Sequence, residues 1–513
     1  MVENMTLLTK LQPKWYVLIG MVCSFAMVFI DQTAIPVALP AIQKDLNTTA
    51  LMLDWIINAY LLSLAALTIL GGNLGDIYGH KKLFLIGLVL FATSSAMIGF
   101  APAAKWVVIG RGIQGIGGAL MVPSMTVIVT TRFSQNERGR AMGIMVGSAA
   151  IFASLGPLLG GFLTEYFSWR AVFWINIPFA LLSFCIGVKM VPAKLHEHPG
   201  QPLDWAGAIT LLISLFLLIF SVMEAPNYGW HSPLILGGVV IGLLCLLLFI
   251  RIELRQPYPM VELSLFKYKQ IAFPVYILML VQAAFIANVF WAIYFQDILN
   301  VSPAQAGVMM LPSIIPIIFF PTIGGYLRDK YGAKLPSVIG ASMITIGMLW
   351  MTIFVHKESY FILVPGMLLA GCGAPFVFPA AMTMAMHSVE IHQRGLVTGI
   401  CGAARQIGSS VGMAVLGSLI VYLNRLQLTH YLQEAGSPVN TLQVPQLEGL
   451  LSGASQARSA VSSLSASTVR QLFDTVKFAH VFSFNVMMCI VTLLCICVLL
   501  LAMRLPVKYD IKE

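Results

Sequence analysis

The chain has 513 residues, of which 58% are hydrophobic and 10% charged, against the roughly 25% charged residues of a soluble domain. Water is therefore not its main solvent, and a soluble globular enzyme is excluded. The formal charge of +9 has to be read against where its cations fall before any nucleic acid is invoked.

A hydrocarbon core is crossed by about 20 predominantly apolar residues, and runs of that length separated by short polar breaks occur fourteen times. In chain order they lie near Trp15–Ala41, Trp55–Gly72, Leu83–Ala101, Trp106–Thr131, Arg140–Tyr166, Ala171–Met190, Leu203–Glu224, Ser232–Ile252, Ile271–Gln296, Pro303–Tyr326, Leu335–Val355, Tyr360–His387, Gly395–Tyr422 and Ala479–Met503. The first run is too long for a cleavable leader and no small-residue cleavage site follows it, so it reads as a true span. The pattern predicts an all-α membrane protein with 14 transmembrane helices.

With the N-terminus inside, cytoplasmic segments collect Lys81, Lys82, Arg132, Arg138, Arg251, Arg255, Lys267, Arg328, Lys330 and Arg504, among others. The short outer loops hold Lys44, Lys105, Arg170 and Lys357. This asymmetry places both termini in the cytoplasm by the positive-inside rule, and it accounts for the net charge without nucleic acid. The eight Cys show no metal spacing, and most lie inside spans, where they read as small core residues.

The chain repeats itself. Gly71 to Lys81 placed over Gly324 to Lys334 matches at Gly71, Gly72, Leu74, Asp76, Tyr78, Gly79 and Lys81. At nearly the same offset Gly115, Gly117 and Pro123 meet Gly371, Gly373 and Pro379. Likewise Arg138, Gly143, Gly156 and Gly161 meet Arg394, Gly399, Gly412 and Gly417. The expected domains are a six-helix bundle over 1–190, two inserted helices over 191–255, and a second six-helix bundle over 256–513 with a long outer loop at 424–477. Parallel repeats of this kind describe transporter halves with the substrate site between them near the midplane.

Four stretches carry a resemblance: Asp31-Gln32-Thr33 leading to Val37-Ala38-Leu39-Pro40, the loop Gly72 to Lys82, Arg111-Gly112-Ile113-Gln114-Gly115, and Gly156-Pro157 with Gly160-Gly161. In these the chain resembles a major facilitator of the fourteen-span drug and proton antiporter branch that includes EmrB and QacA, over nearly its whole length. The resemblance implies the major facilitator fold, two six-helix bundles plus two inserted helices. It also implies proton-coupled export from a bacterial inner membrane, a role in proton coupling for Arg111, and a periplasmic adaptor and outer-membrane channel as partners.

Asp31 lies about 24 Å of helix rise beyond Trp15, in the outer half of the bilayer. A charge at depth costs roughly 2.5–3.5 kcal/mol on insertion scales, so an intramembrane Asp is a functional candidate by default. It is a candidate for proton coupling and for contact with a substrate; a fixed structural ion pair is the alternative. Arg111 enters its span from the outside and reaches a similar depth, so the two charges can meet. Their repeat positions hold Ala284 and Met367, as a single coupling site requires.

Gly72, Asp76, Gly79 and Lys81, with their copies Asp329, Gly332 and Lys334, read as a conformational latch. Small residues admit close helix ends there and charges lock them in one state. A topology signal alone would explain the lysines but not the matched Gly and Asp positions. Gly156, Pro157, Gly160 and Gly161 resemble the antiporter motif of exporters, with close helix packing as the plainer reading. Arg405, about 15 Å into its span, has Ala149 at its repeat position and suits either a structural partner or a substrate. Gln282, Phe285, Trp291 and Tyr294 are candidates for a substrate cavity, though aromatic residues at helical spacing also build cores.

Enzyme signatures fail on context. Gly408-Ser409-Ser410-Val411-Gly412 fits G-x-S-x-G but lies in a helix, and no Walker A or H-E-x-x-H sequence occurs. No cofactor or metal is expected. The hydrophilic 424–477 segment is expected outside, with short helices over Leu450–Leu472, either as a tolerated loop or as the adaptor's docking surface. Export of amphipathic toxic compounds leads; export of one metabolite or fatty acid is the second reading, and a membrane receptor or transferase the third. A host expressing the chain is expected to resist several unrelated toxic dyes and to lose that resistance when an uncoupler dissipates the proton gradient; resistance to a single compound would favour the specific exporter.

Overall fold

The computed structural model describes residues 12–192, 204–257, 259–390, 393–434, 450–451 and 466–506. Among the described residues every long element is a helix and no strand occurs, the arrangement that satisfies backbone groups internally where no water can. The first group comprises α1 (Pro13–Leu46), α2 (Ala50–Tyr78), α3 (His80–Gly99), α4 (Ala104–Arg132), α5 (Gln135–Tyr166), α6 (Ala171–Trp174) and α7 (Asn176–Met190). Two further helices follow, α8 (Trp205–Tyr228) and α9 (Pro233–Glu253).

The last group starts with α10 (Lys269–Phe285) and α11 (Ala287–Asp297) and continues with α12 (Pro303–Met309), α13 (Leu311–Ile314), α14 (Pro316–Phe319) and α15 (Pro321–Tyr331). It ends with α16 (Lys334–Phe354), α17 (Tyr360–His387), α18 (Arg394–Glu434) and α19 (Ala466–Met503). Thirteen helices in the described residues are long and apolar enough to cross a membrane. A pair bent by 44°, Pro303–Phe319 with Ile323–Tyr331, raises the number to 14 if it is one span. The bend follows from proline: each of the short helices α12 to α15 has Pro at its first or second position, where the missing N–H does no harm to the new helix but interrupts the preceding one.

The duplicated loop ends its helices by the same device twice. Gly79 caps α2 at φ 96° and Gly332 caps α15 at φ 78°, a backbone region that residues with a Cβ rarely enter. One expectation is corrected at the opposite face. The helices flanking the hydrophilic loop run well past the apolar limits, α18 to Glu434 and α19 from Ala466. Thus Ala466 to Leu472, expected in short separate helices, belongs to α19, whereas 452–465 lies outside the described residues, as does 435–449. Hydropathy marks where lipid ends, but helical hydrogen bonding continues into water wherever apolar side chains still find cover. Here Leu428 and Leu472 remain buried and Lys477 pairs with Glu358 at 2.6 Å.

The helices α1 to α7 pack mainly on one another, as do α10 to α19; α9 rests on α8, and α8 touches both α2 and α18. The two groups meet through α2 with α18, α5 with α12 and α1 with α11. Where they meet is informative. Gly143 and Gly161 lie about five turns apart on one stripe of α5, and their repeat partners Gly399 and Gly417 lie about five turns apart on α18. A Cβ at Gly161 would sit 2.3 Å from the Pro303 carbonyl oxygen of the other group, and one at Gly417 would sit 2.3 Å from Asp54 Oδ2. A Cβ at Gly143 or Gly399 would meet nothing within 4 Å.

The groups are therefore jammed together at the face remote from the termini and parted toward the face where α1 begins. Polar bonds reinforce the closed end: Ser410 donates to Asn58, Gln296 Nε2 to the Val37 carbonyl at 2.9 Å, and the Ala304 N–H to Glu165 at 2.9 Å. Within the first group the terminal face stays pinned by Lys14 and Glu137 at 2.7 Å; hydrogen bonds from Lys14 and Ser134 hold the Glu137 carboxyl below its usual range. The opening thus runs between the groups and not through either one.

Gly307 meets the Pro157 carbonyl as closely as Gly161 meets Pro303. Gly307→Leu is expected to prevent closure of the remote face. In a protein whose native cysteines are replaced by serine, Ser410→Cys should then react at least tenfold faster with a membrane-impermeant maleimide applied from that face.

Candidate functional site

The carboxylate of Asp31 and the guanidinium of Arg111 form an ion pair inside the first group of helices, 0% and 1% exposed. Arg111 Nη1 donates to Asp31 Oδ2 and, at 2.7 Å, to Gln114 Oε1, while its Nε donates to the Ile56 carbonyl at 3.0 Å. Gln114 Nε2 donates to Asp31 Oδ1 at 3.1 Å and to Ser95 Oγ at 2.7 Å. Asn176 Nδ2 donates to the same two atoms at 3.3 and 3.0 Å. The Arg111 guanidinium also lies 4.2 Å over the Tyr60 ring.

Five helices contribute to this network: α1 carries Asp31, α2 the Ile56 carbonyl and Tyr60, α3 Ser95, α4 Arg111 and Gln114, and α7 Asn176. Arg111 and Gln114 are three residues apart and so share one face of α4. Asn176 stands at the start of α7, just after the break at Ile175. Gly71, Gly87, Gly115 and Gly117 let α2, α3 and α4 approach until backbones touch; a Cβ on any of them would lie 2.7 Å or less from a carbonyl oxygen. That proximity brings Arg111 within reach of the Ile56 carbonyl on α2.

Beside the network, a cavity of about 180 Å³ is lined from both groups. Gln32, Tyr60 and Arg111 face it from the first, and Gln282, Phe285 and Ser409 from the second. Asp31 does not line it; Arg111 stands at the wall and Asp31 behind it. Arg405 lies one turn before Ser409 on α18, with its Nε and Nη2 each 3.4 Å from Gln282 Oε1 and its guanidinium 4.7 Å from the Phe378 ring centre.

Trp291 and Tyr294, candidates for the same cavity by sequence, are elsewhere. Both are buried in an aromatic cluster with Phe295 and Phe484, and the Tyr294 hydroxyl donates to the Val355 carbonyl at 2.8 Å. They build the core of the second group because α11 turns that face inward, away from the first group.

The duplicated loop residues bond locally in this conformation. Asp76 meets His80 at 2.9 Å, one turn along, and not Lys81. Lys81 donates to the carbonyls of Val188 and Val191 at 2.8 and 2.7 Å, covering the end of α7. Asp329 accepts from its neighbour Arg328, whose Nη1 donates to Thr383. All these bonds stay within one group, so the charges of the loop bridge nothing across the opening in this conformation.

Gly156 and Gly160 receive α1, where a Cβ would strike Thr33 and Ala34, whereas Gly161 and Pro157 receive α12. The motif is thus a packing surface, and it faces both groups. Among the described residues no cluster of three or more His, Cys, Asp or Glu side chains can hold a metal ion.

The Major Facilitator Superfamily model matches residues 21–413 and 272–510. Multidrug resistance protein Stp of Mycobacterium tuberculosis is 30% identical over 419 residues, 80% of this chain and 76% of that protein. The tetracenomycin C resistance and export protein of Streptomyces glaucescens is 30% identical over 408 residues, 79% of this chain and 76% of that one. A solved bacterial homologue of the human lysosomal transporter Spinster, inward-facing and occupied, superposes with a TM-score of 0.64 at 16% identity, covering 97% of this chain and 98% of its own.

Removing one partner of a buried ion pair strands the other charge and costs about 3–5 kcal/mol, whereas removing both can be close to neutral. Asp31→Ala is therefore expected to lower the thermal unfolding midpoint in detergent by several degrees, and the double variant Asp31→Asn with Arg111→Gln to recover most of that loss.

Proposed function

The chain belongs to the major facilitator superfamily, and on that premise we propose that it is a proton-coupled antiporter that exports amphipathic toxic compounds by alternating access. Its relatives carry names of multidrug resistance and antibiotic export, and it shares their membrane-spanning, transporter architecture. The opening toward the terminal face then makes this conformation the inward-facing one. The positive-inside rule supports termini in the cytoplasm of a bacterial inner membrane.

The observation that carries the proton-coupling reading is the buried Asp31–Arg111 pair, present in the first copy alone. Deprotonated, Asp31 holds Arg111 and, through Gln114 and Asn176, ties α1 to α3, α4 and α7. A proton taken up from the outside neutralises Asp31 and removes the attraction. Asn176 Oδ1 is buried without a partner, so the network keeps an acceptor for the hydrogen of a neutral carboxyl. Arg111, once released, changes the cavity wall beside Gln32 and Thr33. The proton and the substrate thus oppose each other through the same helices, as antiport requires.

The glycine seams of α5 and α18 supply the moving surfaces. The loop around Asp76 and Lys81, with its copy at Asp329 and Lys334, acts as a latch in the opposite state, when the terminal ends close. The proteins this chain resembles transport their substrates, and we assign the chain no catalytic chemistry. A periplasmic adaptor with an outer-membrane channel is the partner we propose for the face where α18 and α19 project.

Asp31→Asn keeps the shape of the side chain and removes its titration. It is expected to abolish gradient-driven dye efflux in everted vesicles, at least a hundredfold below the parent for equal amounts of inserted protein, while the protein still inserts. Full gradient-driven transport by that variant would refute the coupling role.

A further inference from the structure

Arg405 is treated by the fold quite differently from Arg111. Arg111 is matched by a carboxylate, a side-chain amide and a backbone carbonyl. Arg405 has no paired carboxylate among the described residues, and its Nε and Nη2 share one amide oxygen at 3.4 Å, near the limit of a hydrogen bond. A guanidinium carries five N–H donors in a planar fork suited to a carboxylate. Leaving it unpaired at membrane depth is costly, and such residues mark substrate paths.

Its position favours a ligand over a hidden structural partner. Gly402, three residues earlier on α18, looks into open space, and Ser409, four residues later, lines the cavity. Arg405 and Phe378 do not themselves line the cavity; Arg405 stands one step behind its wall, against the lining residue Gln282 and one turn from the lining residue Ser409. Phe378 stacks against the guanidinium at 4.7 Å and Phe285, at the cavity wall, lies edge-on to Phe378 at 6.1 Å. A cation stands beside an aromatic wall. No acidic side chain lines the cavity, and Asp31 is already neutralised behind Arg111.

We propose that the exported compounds are amphipathic organic anions, bearing a carboxylate or acidic phenol on a flat apolar body, and that Arg405 receives the acidic group while Phe285 and Phe378 receive the ring system. This rests on the exporter reading above and narrows it: lipophilic cations, which a cavity with an exposed carboxylate would select, are disfavoured here by the unpaired guanidinium.

Fluorescein and rhodamine 123 share a xanthene ring and differ in sign of charge at pH 8. Fluorescence anisotropy with the purified full-length protein is expected to show fluorescein binding at least tenfold tighter. Arg405→Gln should lose at least tenfold of that affinity, and Arg405→Lys should retain part of it. Equal or tighter binding of rhodamine 123, no binding of either dye, or unchanged fluorescein affinity in Arg405→Gln would overturn the proposal. Should the Gln variant fail to fold, the parental preference and the Lys variant decide. Movement of the dyes in proteoliposomes under a pH gradient separates the two readings. Rhodamine 123 moved in preference to fluorescein removes the anion assignment and leaves the exporter intact. Neither dye moved, while fluorescein still binds at Arg405, removes the exporter reading and leaves the anion site.

Discussion

A charge inside a bilayer has to be matched by another charge and by hydrogen bonds, and much of the first six-span group is organised by that constraint. Asp31 and Arg111 sit on different helices, so neutralising them fixes the distance between α1 and α4. The remaining donors and acceptors of the pair then recruit α2 through a carbonyl, α3 through Ser95 and α7 through Asn176. A single proton delivered to Asp31 would act on all five helices at once. Among the described residues the second copy holds no such buried pair, and Ala284 and Met367 occupy the matching positions; that group is organised by aromatic packing around Trp291 and Tyr294 instead.

The second organising feature is close approach. Without a hydrophobic driving force between helices in lipid, association depends on van der Waals contact and hydrogen bonds, and glycine provides both by letting backbones touch. Inside the first group this packs α2, α3 and α4 backbone to backbone through Gly71, Gly87, Gly115 and Gly117. Between the groups it creates a seam that can open: Gly161 and Gly417 touch the opposite group while Gly143 and Gly399, on the same stripes, touch nothing. The repeat pairs Gly143 with Gly399 and Gly161 with Gly417, so the two stripes match each other: both are joined at one end and parted at the other.

Much of this is legible in the residues before any coordinates. Asp31 and Arg111 announce themselves because charged residues are scarce in the apolar runs, and their depths agree by counting helix rise. The glycines declare themselves through the repeat. Other parts are hidden for physical reasons. Ser95 and Asn176 are polar residues in spans, a signal available in principle, but small side chains cost little to bury and their partners lie far off in sequence. Asn58 and Ser410 share that concealment while joining the two groups. Trp291 and Tyr294 have the composition of a binding site and the location of a core, and helical spacing does not distinguish the two. The bond from His80 to Asp76 is equally hidden, since it depends on the helix restarting at His80 carrying that ring back over Gly75.

The sequence by itself determined the solvent of this protein, the number and order of its spans, its duplication and the matching depth of Asp31 and Arg111, since each of these is set by local composition and spacing along one chain. The tertiary structure decided which face the two groups close, which polar residues complete the shell of Asp31, and which of two membrane arginines is left without a carboxylate. Those outcomes depend on distances between segments far apart in the chain, 80 residues for Asp31 and Arg111 and 352 for Asn58 and Ser410. A helical periodicity specifies which way a side chain points from its own axis, but not what stands opposite it.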